Sequence, residues 1–158
     1  MIKVGIAGAT GYTGLELIRI LKRHPKVNLV ALTSETYTGK CISTVFPGLR
    51  GWIQKKLISI QSELPECDYL FLALPHTTAM EHVPKFLDCG IKIIDLSADF
   101  RLHDPKVFED WYHKPHLKPD YLKEAVYGLP EIHRQRIENA RLLANPGCYS
   151  TSVILGLA

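Results

Sequence analysis

Ile2-Lys3-Val4-Gly5-Ile6-Ala7-Gly8-Ala9-Thr10-Gly11-Tyr12-Thr13-Gly14 is the stretch that decides the fold. Its first six residues form a short, mostly apolar run of the kind that makes a central parallel strand. Glycines at 8, 11 and 14 then allow a tight turn, close approach of a pyrophosphate, and close helix–strand packing. Apolar residues at 15, 17, 18, 20 and 21 suit a helix lying on a sheet, and His24-Pro25 should stop it. Free N–H groups and the dipole at the start of that helix favour an anion. A glycine triplet by itself can be no more than a structural turn. Here it stands between a strand and a helix, with a second apolar strand expected over Val27 to Thr33, and dinucleotide binding is the stronger reading.

The ribose of such a nucleotide should meet the end of the second strand, about 20 residues past the loop. Thr33-Ser34-Glu35 stands there. Glu35 could accept from a 2′-hydroxyl, as in NAD binding. Thr33 and Ser34, with Lys40 nearby, could instead hold the 2′-phosphate of NADP. The first acidic side chain comes after two hydroxyls, which tilts the reading toward NADP without deciding it.

Beyond this point, Thr38 to Ile53 is Gly-rich and reads as an irregular surface loop. Leu57 to Ile60 and Asp68 to Leu74 are expected strands, the latter ending at Pro75-His76. Thr78-Ala79-Met80-Glu81 has capping-box spacing and should open a helix to about Cys89, where Gly90 stops it. Ile91 to Leu96 is the next expected strand. His76 lies where ligands of open α/β sheets collect, although a loop His that caps a turn or faces water is the commoner case. Asp95-Leu96-Ser97-Ala98-Asp99-Phe100-Arg101 could present an anion-binding Arg101 held by carboxylates, or be an ordinary salt-bridged turn. His113-x-x-His116 has Pro115 inside it, which speaks against a helical metal pair. Tyr127 to Glu131 reads as a turn leading into a short helix to Asn139. Strands alternating with helices describe a doubly wound, mostly parallel α/β sheet of Rossmann type over residues 1–158.

Asn145-Pro146-Gly147-Cys148-Tyr149-Ser150-Thr151 is the other informative stretch. A strand ending at Ala144, a turn made by Pro146 and Gly147, and an apolar helix from Ser150 would place Cys148 at a helix N-terminus. Such a place favours a thiolate, and its N–H groups could hold the oxygen of a carbonyl under attack. A small buried Cys packed beneath a turn is the alternative.

The bulk composition excludes much. With 158 residues, 46% hydrophobic, 22% charged and a net charge of +3, nothing points to a nucleic-acid surface. No apolar run is long enough for a membrane span. Met1-Ile2-Lys3-Val4 enters a strand at once, leaving no room for a signal peptide. The four cysteines are far apart and form no C-x-x-C pair, so a reduced, cytoplasmic protein is expected.

Gly8 to Gly14, Asp95 to Leu102, Tyr127 to Glu131 and Asn145 to Tyr149 occur in an order that strongly resembles the N-acetyl-gamma-glutamyl-phosphate reductases of arginine biosynthesis. Single motifs are shared with the wider semialdehyde dehydrogenase group. The resemblance implies NADP(H)-dependent reduction of an acyl phosphate to N-acetylglutamate 5-semialdehyde and phosphate, with Cys148 as nucleophile. By motif, Gly8, Thr10, Gly11, Tyr12, Thr13 and Gly14 would line the pyrophosphate. Ser34 would lie near the ribose, and Arg101 near the substrate's phosphate or carboxylate. No metal is implied. Complete members continue into an α+β domain that carries a catalytic His and the contacts of a homo-oligomer, and none of it is in these 158 residues. Two rivals are an aspartate-semialdehyde-dehydrogenase-like enzyme and a non-catalytic nucleotide-binding fragment. A short-chain reductase would need Tyr-x-x-x-Lys, and none of the seven Tyr has Lys four residues on.

Overall fold

The computed structural model describes residues 1–158, which divide into two compact units, Met1–Ala73 and Leu74–Ala158. The first contributes three strands, β1 (Ile2–Ala7), β2 (Val27–Leu32) and β3 (Tyr69–Leu72). β1 lies between the other two and is parallel to both, with Val4 opposite Leu29 on one side and Tyr69 on the other. Such a central strand has no solvent face, which is why its inner residues are almost all apolar. Helix α1 (Tyr12–Arg23) ends at His24, as the following Pro25 requires, with Lys22 and Arg23 complementing the dipole in its last turn. It buries Gly14 and Ile18. Ile18 joins Val4, Ile6, Leu29 and Leu32 in the core.

Two expectations for this unit need correction. Leu57 to Ile60 is not a strand; it holds one isolated bridge, Ile58 to Thr33, and Lys56 just before it bridges to Cys41. Leu57 exchanges backbone hydrogen bonds with Gly39 and Lys40, whereas Ile58 bonds to Leu32 and Ser34 on another segment, so no ladder can continue. The apolar signal came from burial of Leu57 and Ile60 instead. Nor is 38–53 simply a surface loop. It holds a single helical turn, α2 (Ile42–Val45), and a 3-10 turn at Pro47–Leu49, and it sends Ile42, Leu49 and Ile53 into the core.

The second unit contributes β4 (Lys92–Asp95), β5 (Val126–Tyr127) and β6 (Leu142–Ala144). β6 is central and parallel to both neighbours, pairing Asp95 and Tyr127 with Ala144. Its helices are α3 (Ala79–Asp88), α4 (Pro105–Tyr112), α5 (Pro130–Glu138) and α6 (Cys148–Leu157). The capping box expected at Thr78 does not form. Thr78 has helical angles and no side-chain cap bond. The carboxylate of Asp99 serves instead, accepting from Thr77 N–H at 2.7 Å and Met80 N–H at 3.0 Å. Three parallel strands with their helices in each unit make this an α/β fold of Rossmann type.

Candidate active site

In the first unit, the glycine loop connects β1 to α1. Gly8 has φ 78°, a conformation that side chains resist. Gly14 is required by contact, since a Cβ there would lie 2.2 Å from the Gly8 carbonyl oxygen. Gly11 has an ordinary φ of −77° and heads the helix without any side-chain cap bond. A Cβ on it would meet only Gly8 O, at 3.6 Å. Its bareness therefore leaves space outside the loop rather than inside it. The first helical backbone bond runs from Leu15 N–H to Gly11 O, so the earlier N–H groups of α1 have no helical carbonyl and suit an anion. Thr10, Gly11, Tyr12, Leu15 and Phe46 line a groove of about 260 Å3 here. Tyr12 is 98% exposed and Thr13 is exposed beside it.

Ser34 and Glu35 part company. The Ser34 hydroxyl is 2.8 Å from Thr10 Oγ1 and also takes Tyr37 N–H, tying the end of β2 to the glycine loop. Glu35 turns away. Its carboxylate accepts from the Ser59 hydroxyl at 2.9 Å and from Ile60 N–H at 2.7 Å. Lys40 lies with Nζ 5.4 Å from the Tyr37 ring centre.

In the second unit, Cys148 is the first residue of α6 and is exposed, which excludes the buried-Cys alternative. The first helical bond runs from Thr151 N–H to Gly147 O, so the N–H groups of Cys148, Tyr149 and Ser150 have no helical carbonyl. The turn before it is anchored by side chains that sequence reasoning did not single out for this task. Ser150 donates to Gly147 O at 2.9 Å and accepts from Tyr127 Oη at 3.2 Å, while Thr151 Oγ1 also donates to Gly147 O. The expectation that Gly147 is needed to turn the chain is corrected, because its φ of −71° and ψ of 155° are open to any residue.

Arg101 is not held by carboxylates. It donates to the carbonyls of Asn145 and Leu96. Asp95 and Asp99 are occupied elsewhere, Asp95 with the N–H and hydroxyl of Ser97. His76 proves to be a capping residue, its Nδ1 accepting Ala98 N–H at 3.0 Å. His116 is buried, with Nε2 on the Asp99 carbonyl and Nδ1 taking Lys118 N–H. His113 merely ends α4, in the left-handed conformation. No group of three or more His, Cys, Asp or Glu gathers as a metal centre, and no helix is long and apolar enough to cross a membrane.

Burial pushes the Asp95 carboxyl up to about 6 from 3.8, against the lowering effect of its bonds to Ser97. The folded chain thus holds this proton at pH values where the unfolded chain has released it. Its stabilising contribution is complete below about 3.8 and is lost as pH rises through about 6. Asp95→Asn should remove that slope. Thermal unfolding should show the parent losing stability relative to D95N across this window, by at most roughly 3 kcal/mol, with a constant difference above it. Parallel pH profiles for the two proteins would contradict the assignment.

The family model described as "Semialdehyde dehydrogenase, NAD binding domain" matches residues 3–140. This chain belongs to that family. The semialdehyde dehydrogenase domain found here also has curated relatives along its full length. It is 54% identical over 157 residues to the N-acetyl-gamma-glutamyl-phosphate reductase of Nitrosospira multiformis, and 53% identical over 159 residues to that of Herminiimonas arsenicoxydans. These alignments take in 99% and 100% of this chain but 46% of each relative, so the chain spans about half their length. Among solved structures, aspartate semialdehyde dehydrogenase II of Vibrio cholerae complexed with ASA superposes with a TM-score of 0.73 at 20% identity, covering 99% of this chain and 45% of that one. Aspartate semialdehyde dehydrogenase with NADP from Candida albicans gives 0.73 at 17% identity, covering 99% and 46%. Likeness at that identity establishes the shared fold.

Proposed function

We propose that this chain is the nucleotide-binding and nucleophile-bearing part of an NADPH-dependent reductase that converts N-acetyl-gamma-glutamyl phosphate to N-acetylglutamate 5-semialdehyde and phosphate. The observation that carries the reading is the exposed Cys148 at the first position of α6, preceded by an anchored turn and followed by N–H groups without helical partners. Cys148 Sγ, as thiolate, attacks the acyl carbon. A C–S bond forms, the bond from carbon to the phosphate oxygen breaks, phosphate leaves, and a thioester remains on Cys148. The free N–H groups of the first turn of α6 stabilise the oxyanion that develops on the way. A nicotinamide cofactor held at the glycine loop would supply the hydride for reduction of the thioester, with Cys148 leaving as the thiolate.

The chain's own residues suit a dinucleotide. Gly8 and Gly14 shape the loop, Gly11, Tyr12 and Thr13 present the helix start to a pyrophosphate, and Thr10 is braced by Ser34. Glu35 already accepts from Ser59 and Ile60, which draws its carboxylate toward that segment and favours a 2′-phosphate near Ser34 and Lys40 over a 2′-hydroxyl bonded to Glu35. In this reading, fluorescence titration of the chain gives NADPH an affinity at least about tenfold above NADH, worth about 1.4 kcal/mol. Equal or tighter binding of NADH would refute the phosphate preference.

A further inference from the structure

The turn before α6 is held from one side by Ser150, whose hydroxyl donates to Gly147 O and accepts from Tyr127. Arg101 is placed to hold it from another. Arg101 Nε donates to the Asn145 carbonyl at 2.8 Å, and Nη2 donates to the Leu96 carbonyl at 2.9 Å. These acceptors are the residues that directly follow β6 and β4, two strands that pair with each other. The guanidinium also lies against the next part of the turn. A Cβ at Gly147 would come within 3.2 Å of Nη1 and 3.9 Å of Cζ. Since the backbone of Gly147 is ordinary, a methyl added there would act by pressing on the guanidinium, which would have to give by a few tenths of an ångström.

We infer that Arg101 is a positioning residue. Its planar fork fastens the Asn145-Pro146-Gly147 turn to the loop after β4 and thereby fixes where α6 begins and how Cys148 is presented. The inference rests on the reading of Cys148 as nucleophile, and it gives Arg101 a task other than holding a substrate anion. A fork does this where a point charge does not. Two N–H groups in one rigid plane set both distance and angle between the two loops, and Lys cannot reproduce that. Displacement of a reacting atom by about 1 Å can cost about a hundredfold in rate, so an anchor of this kind is worth conserving within the site's support.

The test compares alkylation of Cys148 by neutral iodoacetamide and anionic iodoacetate in the parent, R101K and G147A chains. Peptide mass spectrometry follows each site, with the exposed Cys89 as internal reference. Arg101→Lys keeps the charge and loses the fork. The expected result is a several-fold drop for both reagents at Cys148 with their ratio unchanged. Gly147→Ala, which pushes on the same contact, should shift the rates in the same direction, and its effect should vanish in the R101K/G147A double variant. An unchanged iodoacetamide rate in R101K overturns the inference. So does a drop confined to iodoacetate, which would assign the side chain to anion binding. Should R101K fail to melt cooperatively, G147A decides alone: parent-like alkylation overturns the inference. In a chain extended to the relatives' full length, R101K should lower kcat by about a hundredfold with KM nearly unchanged. A rise in KM with kcat intact counts against positioning. Retained turnover in Cys148→Ser would instead sink the nucleophile reading and leave the alkylation results standing.

Discussion

Cys148→Ser, made in a chain of the relatives' full length, abolishes phosphate-dependent semialdehyde dehydrogenase activity and leaves NADPH affinity nearly intact. The loss should be about a thousandfold or more, because a serine hydroxyl is far less acidic than a thiol and a helix N-terminus that favours a thiolate does not ionise it. Cofactor affinity is spared because Cys148 begins α6, whereas the glycine loop is built from β1 and α1. The variant should also fold, since Cys148 is exposed and supports no core contact. Steady-state kinetics in both reaction directions, with NADPH titration by fluorescence, checks both halves of the statement. Turnover within tenfold of the parent is incompatible with a thioester on this residue.

Gly14→Ala should have the second largest effect, and for a different reason. Its new methyl would lie 2.2 Å from Gly8 O, 2.8 Å from Ala9 Cα and 2.9 Å from the Ala9 carbonyl carbon, all of them backbone atoms with no rotamer to escape into. α1 must then move away from the loop, at an overpacking cost of roughly 1–3 kcal/mol. The same movement spoils the cradle for the pyrophosphate, so NADPH affinity should fall at least about tenfold, a loss of about 1.4 kcal/mol. Gly11→Ala is the control. Its Cβ meets only Gly8 O at 3.6 Å, and stability should stay within about 1 kcal/mol of the parent while NADPH binding weakens because the methyl stands where the ligand approaches. Equal melting of the parent and G14A would show that the packing role is misassigned. Undiminished NADPH binding by G11A would show that the pyrophosphate does not approach there.

Local chemistry was readable from the chain, and partners distant in sequence were not. β1, the glycine loop and α1 follow one another within 23 residues, and Pro25 stops the helix where its geometry demands. The start of α6 at Cys148 was equally local. α4 was missed although its signal was present, for Asp104 accepts Lys106 N–H as an N-cap and Pro105 takes the first helical position. Pro115, between His113 and His116, spoke against a helix there and masked the one that ends just before it, at Tyr112. Thr78 shows the opposite failure. Its spacing promised a capping box, but Asp99, some 20 positions on, takes the neighbouring N–H groups of Thr77 and Met80, and nothing in the spacing of 78–81 could announce it. Arg101 fits the same pattern. Asp95 and Asp99 beside it in sequence suggested ion pairs, whereas each carboxylate takes backbone or hydroxyl donors and the guanidinium goes to carbonyls 5 and 44 residues away. Glu35 was read as a candidate ribose acceptor because its engagement with Ser59 and Ile60 depends on a segment 24 and 25 residues further along.

The central claim is that the acyl group passes onto Cys148, and mass spectrometry of the acylated protein tests it most directly. A chain of the relatives' full length is mixed with N-acetyl-gamma-glutamyl phosphate without NADPH, quenched in acid and digested. The predicted result is an N-acetylglutamyl adduct on the peptide that holds Cys148, removed by hydroxylamine and matched mole for mole by released phosphate. Phosphate release with Cys148 unmodified, or an adduct on any other residue, would contradict the account.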